Sequence, residues 1–173
     1  MAHIIKVKGI TPKISETAWL APNATVTGDV EIGEDSSIWF QVVIRGDCNR
    51  IRIGKRCNIQ DGAIIHGTVG RSDTILNDRV SIGHAAIIHG CIIEPDVLVG
   101  MGATILDDVI VPSNTIIAAG ALVTSCTQLE SGFIYAGTPA RKLKAIDDIH
   151  AQIYIQGTSD HYVQYKDWYR NPE

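Results

Sequence analysis

Aromatic side chains are scarce in this chain of 173 residues: they make up 6% of it, with only two phenylalanines. A core built around stacked rings is therefore excluded. Isoleucine and valine are plentiful instead, so the core must be aliphatic and β-branched, which leans towards β structure. Positive charge is not in excess: 15 Lys and Arg stand against 19 Asp and Glu, for a net charge of −4 and a pI near 5.8. An electrostatic nucleic-acid binder is thereby disfavoured. Long apolar runs are missing too. The longest uncharged segment, 109–129, contains Pro112, Ser113, Asn114 and Gly120, which argues against a membrane span. The opening MAHIIKVKG has no basic and apolar leader pattern. The four cysteines (Cys48, Cys57, Cys91 and Cys126) make no C-x-x-C pair, so reduced thiols in a cytoplasmic protein are expected. What remains is ordinary globular composition, 45% hydrophobic and 20% charged, in a length that suits one domain.

The apolar residues recur every six positions. Leu20, Val26, Ile32, Ile38 and Ile44 start the series, and Ile53, Ile59 and Ile65 continue it after a slip at R-G-D-C-N-R. Leu76 and Ile82 follow a second slip across 67–74. One step of five then leads to Ile87, Ile93, Val99, Ile105, Val111, Ile117 and Val123. The position four residues after each of these is small or β-branched, as in Ala24, Val42, Cys57, Ala63, Cys91, Ala103 and Ala121. A period of six fits neither one strand face nor an α-helix. It fits a coil of three short strands per turn of about 18 residues, the hexapeptide left-handed parallel β-helix, with room for roughly six turns. Cys57 and Cys91 fall on the small-residue series and read as inert buried thiols. Cys126 reads as structural, and Cys48 lies off the pattern.

After Val123 the pattern stops. The string G-F-I-Y-A-G-T-P-A-R-K crosses a Gly/Pro turn. From about Pro139 the spacing Leu143, Ile146, Ile149, Ile153 is helical, and the aromatic stretch His161 to Tyr169 extends it. The expected organisation is a β-helix over 1–138, with 139–173 as a C-terminal helical segment of the same domain, packed alongside to cover the coil.

Three of the six histidines cluster mid-coil: His66 in N-I-Q-D-G-A-I-I-H, and His84 and His89 in S-I-G-H-A-A-I-I-H-G. Each lies one or two residues after a ladder aliphatic, so each points outward. The bland reading is three surface imidazoles. The sharper one is a zinc-type ligand set that leaves an open position for water. One convex face does not easily converge three outward side chains, so the site is expected between subunits. Arg45 and Asp47 in V-I-R-G-D read either as a local ion pair or as part of that site. Asn58 and Asp61 read as turn residues or supporting groups. Gln60 follows ladder Ile59 and no turn explains it; its amide could orient a metal-bound water. Tyr135 reads equally well as packing in the last turn.

The strings V-I-R-G-D, I-R-I-G, N-I-Q-D-G, I-G-H-A-A-I-I-H-G-C-I-I and V-G-M-G-A resemble the γ-class carbonic anhydrases, from about Trp19 to Arg141. The ending S-G-F-I-Y-A-G-T-P-A with H-Y-V-Q-Y-K-D-W-Y is similar to the YrdA-like bacterial branch. The resemblance implies a homotrimer with metal sites at its interfaces. His66 and His89 would come from one subunit and His84 from its neighbour. Arg45 and Asp47 would be the interfacial pair, Gln60 the group that orients the metal hydroxide, Asn58 and Asp61 its supports, with Tyr135 matching less securely. The implied cofactor is zinc, with iron or cobalt as the alternatives in the cell. The implied reaction is attack of metal-bound hydroxide on CO2 to give bicarbonate.

The chain departs from the family pattern where that pattern carries glutamates. Cys48 follows Asp47, and the loop G-T-V-G-R-S-D-T holds Asp73 as its only acid. A complete metal site with a poor proton path, and so slow hydration, is the expectation. Two other readings stand beside it: a CoA-dependent acyltransferase or thioesterase on the same coil, and a metal-binding trimer without catalysis.

Overall fold

The computed structural model describes residues 1–170. The chain winds into a left-handed parallel β-helix of about seven turns, closed by one C-terminal helix. Strands of two or three residues dominate, because each side of the coil is only that wide. Two long ones, Thr25–Ile32 and Val43–Ile53, run through a corner and serve two sides. Val43–Ile53 pairs with Ile64–His66 through its first residues and with Thr74–Leu76 through its last. The coil also extends past both ends of the six-residue pattern. His3–Ile5 and Lys13–Ile14 pair with Thr25–Ile32, and Phe133–Ala136 pairs with Thr115–Ile117.

The core is the aliphatic ladder. Ile38, Ile59, Ile82, Val99, Ile117 and their counterparts on the other sides are fully enclosed, and the small-residue companions from Ala24 to Ala121 are buried as well. Corner backbones enter the left-handed region just before those companions. Asp35, Asp96 and Asn114 do so at φ of 55°, 56° and 53°, and Gly62 at 70°. Asn and Asp tolerate that conformation and glycine adopts it freely, which explains why these residues punctuate the repeat.

Three expectations need correction. The shortened step lies between Ile88 and Ile93, not after Ile82. Ile88 is enclosed and pairs in register with Ile65 and Ile105, while Ile87 is 38% exposed. Helical spacing from Pro139 is also overruled: Arg141–Ala145 is a strand, antiparallel to Phe133–Ala136, and helix begins only at Asp148. Polar and apolar residues alternate poorly in R-K-L-K-A, so the coil's last free edge decides its state. Cys126 is exposed, unlike Cys57 and Cys91.

A π-helical turn, Ala151–Gly157, leads into the helix Thr158–Arg170. That helix is clamped along the coil. Ser159 donates to the Arg56 carbonyl at 2.9 Å, Asp160 pairs with Arg56 and Arg79, and Arg170 reaches the carbonyls of Thr17 and Ala18. Lys166 is buried beside Asp35 and Asp167. Most of the aromatic residues gather here. Trp39 stands 5.0 to 5.3 Å, centroid to centroid, from Trp19, Tyr162 and Tyr169. The coil interior is too narrow for rings, so they fill the seam between coil and helix.

Candidate metal centre

Strand alternation sends Ile65 into the coil and His66 out of it, and does the same to Ile88 and His89. Because Ile64–His66 pairs in register with Ile87–His89, the two imidazoles stand one above the other. Their ring centroids are 5.3 Å apart, and His66 Nδ1 lies 3.3 Å from His89 Nε2. The other nitrogen of each ring meets a carboxylate: His66 Nε2 is 3.1 Å from Asp47 Oδ1, and His89 Nδ1 is 3.0 Å from Asp107 Oδ2. With both rings neutral, each donates its N–H to its carboxylate. The two nitrogens that face each other then carry lone pairs. A tetrahedral zinc-type ion with bonds of about 2.0–2.1 Å separates its ligand nitrogens by about 3.3–3.4 Å, so this pair fits two of its positions. Carboxylate-backed imidazoles are also the usual outer arrangement of such sites.

Arg45 adjoins this pair. It donates to Asp47 Oδ2 at 2.6 Å and lies 3.4 Å from His66 Nδ1. Burial, together with the Arg45 charge, holds His66 below the usual imidazole range, against the opposing pull of Asp47. That direction favours the neutral form, the form in which an imidazole binds a metal. Burial alone would raise the Asp47 carboxyl, but hydrogen bonds from Arg45, Cys48 and His66 outweigh it and leave it lowered. Asp107 follows the same logic, with His89 and Thr68 outweighing its burial.

His84 stands elsewhere. It follows Ile82 by two residues at the corner after Ser81–Ile82, and its Nδ1 lies 2.8 Å from Asp61 Oδ2. Both side chains are nearly half exposed, at 45% and 42%. Beside them runs a buried amide chain: Gln60 Nε2 donates to Asn58 Oδ1 at 2.9 Å, and Asn58 Nδ2 donates to Ser81 Oγ at 2.7 Å. This chain fixes the Gln60 amide while leaving its oxygen free to accept. Among the described residues, no hydrogen bond or ion pair joins this corner to His66 or His89. The His66–His89 pair and the His84 corner are thus separate groups on one chain. Tyr135 belongs to neither: it is buried near the end of the coil, and its hydroxyl is held by the Glu130 backbone. Cys48, Asp47 and His66 form the one compact trio of metal-ligating side chains among the described residues.

The family signature of bacterial hexapeptide transferases (six repeats) matches residues 11–46 and 90–125. YrdA of Escherichia coli K12 is 36% identical over 94% of this chain and 91% of its own. The chain belongs to the hexapeptide-repeat family, in the group that holds YrdA and the γ carbonic anhydrases. Mitochondrial γ carbonic anhydrase 2 of Arabidopsis thaliana is 40% identical over 88% of this chain. The match spans only 56% of that plant protein, a little over half its length. A hexapeptide transferase family protein of Anaplasma phagocytophilum superposes with a TM-score of 0.92 at 34% identity, covering 96% of this chain and 98% of its own.

Sequence reasoning missed Asp107, the buried partner of His89. The signal was present: the two residues are 18 apart, one full turn of the coil, so they are stacked neighbours. Family motifs are read along the chain, and this relation runs across it.

Proposed function

We propose that this hexapeptide-repeat protein is a γ-carbonic-anhydrase-type metalloprotein that works as a homotrimer. His66 and His89 of one subunit and His84 of a neighbour would hold one metal ion. The observation that carries this reading is the pair of facing imidazole nitrogens 3.3 Å apart, each ring backed by its own carboxylate. His84, carboxylate-backed and exposed at a different corner, is the matching third ligand that a second chain can supply.

When bound, a zinc-type ion acts as a Lewis acid that brings the pKa of water to about 7. The remaining work belongs to the chain. Asp47, Asp107 and Asp61 keep the three rings in the right tautomer. The Gln60 oxygen accepts a hydrogen bond and so orients the attacking group towards CO2, and the Asn58–Ser81 chain stops the amide from turning. Arg45 holds Asp47 in place and supplies positive charge where bicarbonate forms. Proton export is the weak step, because Cys48 occupies the position that carries a glutamate in the family pattern. Likeness to a transferase-family structure favours a second reading, CoA-dependent acyl transfer. Such chemistry needs one histidine base, and leaves the other carboxylate-backed imidazoles without a task.

Metal analysis of protein purified without air, followed by CO2 hydration on that sample, tests the reading. About one metal per subunit with slow, metal-dependent hydration is the expected result. A metal-free protein that acetylates amines from acetyl-CoA would overturn it. Turnover on the order of a thousand per second or more would overturn the proton-export argument alone.

A further inference from the structure

Between the coil and the helix Thr158–Arg170 lies a cavity of about 180 Å³. Its walls are six aromatic rings and one carboxylate. Trp39 and Phe40 come from the coil; Tyr162, Tyr165, Trp168 and Tyr169 come from the helix; Asp61 supplies the charge. The rings meet mostly edge to face or tilted. Tyr162 stands at 86° to Trp39, and Tyr165 is 4.7 Å from Trp168, centroid to centroid. Trp168 is 66% exposed, so one large ring is left open to solvent in a chain that has few. Burial, and after it the Asp61 charge, pushes the Tyr162 hydroxyl up to about 12. No lysine or arginine lines the cavity.

We propose that this aromatic cavity is a binding site for a quaternary ammonium group, held over the ring faces and paired with Asp61. Aromatic faces attract cations, and a methylated ammonium is the kind that loses least on entering. It has no N–H to satisfy, whereas a primary ammonium brings three donors. The cavity offers one carboxylate, with one oxygen already engaged by His84. A neutral apolar ligand would fit the rings but offer nothing to the second Asp61 oxygen. The inference stands without the metal reading, although Asp61 places the cavity beside His84.

Calorimetric titration of the full chain with choline, and with its neutral carbon isostere 3,3-dimethylbutan-1-ol, tests the proposal. Saturable binding of choline, about tenfold tighter than the isostere, is expected. Trp168→Leu removes an exposed ring and should weaken choline by about tenfold in protein whose circular dichroism is unchanged. Asp61→Asn should narrow the gap between choline and the isostere. Equal affinity for the two ligands, no saturable heat with choline, or undiminished choline binding by Trp168→Leu would each overturn it.

Discussion

Two substitutions two residues apart should have opposite effects, and the contrast tests both the fold and the site. Ile82 is fully enclosed and stacked in register between Ile59 and Val99. Main-chain hydrogen bonds on either side, Gln60 to Ile82 at 2.9 Å and Gly83 to Val99 at 2.8 Å, hold the neighbouring rungs apart. The coil therefore cannot collapse into the space left by Ile82→Ala. A buried Ile→Ala change costs about 2–5 kcal/mol, and this rigid setting points to about 3 or more. For a domain of this size, each kcal/mol lowers the melting temperature by about 2–4 °C, so a drop on the order of 10 °C is expected. His84→Ala removes only a half-exposed partner of Asp61. Exposed ion pairs contribute about 0–1 kcal/mol, so the melting temperature of metal-free protein should shift by about 4 °C or less. Metal content should respond in the reverse order, abolished in His84→Ala and retained in folded Ile82→Ala. The assay is thermal unfolding of stripped protein at one fixed concentration, since assembly couples to stability, paired with metal analysis of loaded protein. Full metal occupancy in His84→Ala would sink the three-histidine assignment. A melting loss as large as that of Ile82→Ala would sink the claim that His84 is outside the core.

Asp107→Asn keeps the shape beside His89 but removes the charge that backs the ring; metal affinity should fall by about 10–100-fold, read by competition with a chelator. Native protein should react at Cys48 and Cys126 with a thiol reagent at pH 8, and denatured protein at all four cysteines. Cys57 and Cys91 are enclosed, and burial pushes both thiols up to about 12, so thiolate is withheld. Native labelling of four thiols would contradict the enclosed ladder. Acid should loosen the C-terminal helix. Burial would raise the Asp160 carboxyl, but Arg56 and Arg79 outweigh it and hold it below the usual carboxylate range. The unfolded chain thus binds the proton more readily than the native one. Docking is favoured above the ordinary carboxylate pKa and lost as pH falls through the lowered value. Tryptophan fluorescence should report this transition, and Arg79→Gln should move it to higher pH.

The ladder was legible because a solenoid writes its contacts into a fixed spacing. Fifteen of the seventeen expected positions are buried; Leu20 is half-buried at the edge and Ile87 is exposed. The misplaced step has a simple cause: I-I-H offers two adjacent isoleucines, and composition cannot say which faces inward. Register can, since His89 must sit over His66 as Ile88 sits over Ile65. The strand at Arg141–Ala145 was not legible for a different reason. Nothing in its own residues favours a strand, and its pairing with Phe133–Ala136 is a tertiary decision. His66 and His89 were visible as residues, but their contact was not, because 23 positions separate them across an irregular loop.

The same spacing bears on the proposal that the site is divided between subunits. A regular coil brings together residues one turn apart, as it does His89 and Asp107 at 18. The loop at 67–74 lengthens one turn, so the His66–His89 interval becomes 23 while register is kept. His84 lies five residues before His89, which on a coil with six-residue sides is almost one side away. No adjustment of a single loop moves it onto the same side without breaking the ladder at Ile82 and Ile88, both fully enclosed. Convergence of the three imidazoles therefore requires a second copy whose His84 corner meets this chain's His66 and His89. In that reading, assembly and metal binding are one equilibrium. Dilution should release metal and added metal should favour the trimer, in the proportion set by linkage. Metal that stays bound in a demonstrably monomeric protein would show that one chain suffices, and would leave the Asp47, Cys48 and His66 trio as its ligands.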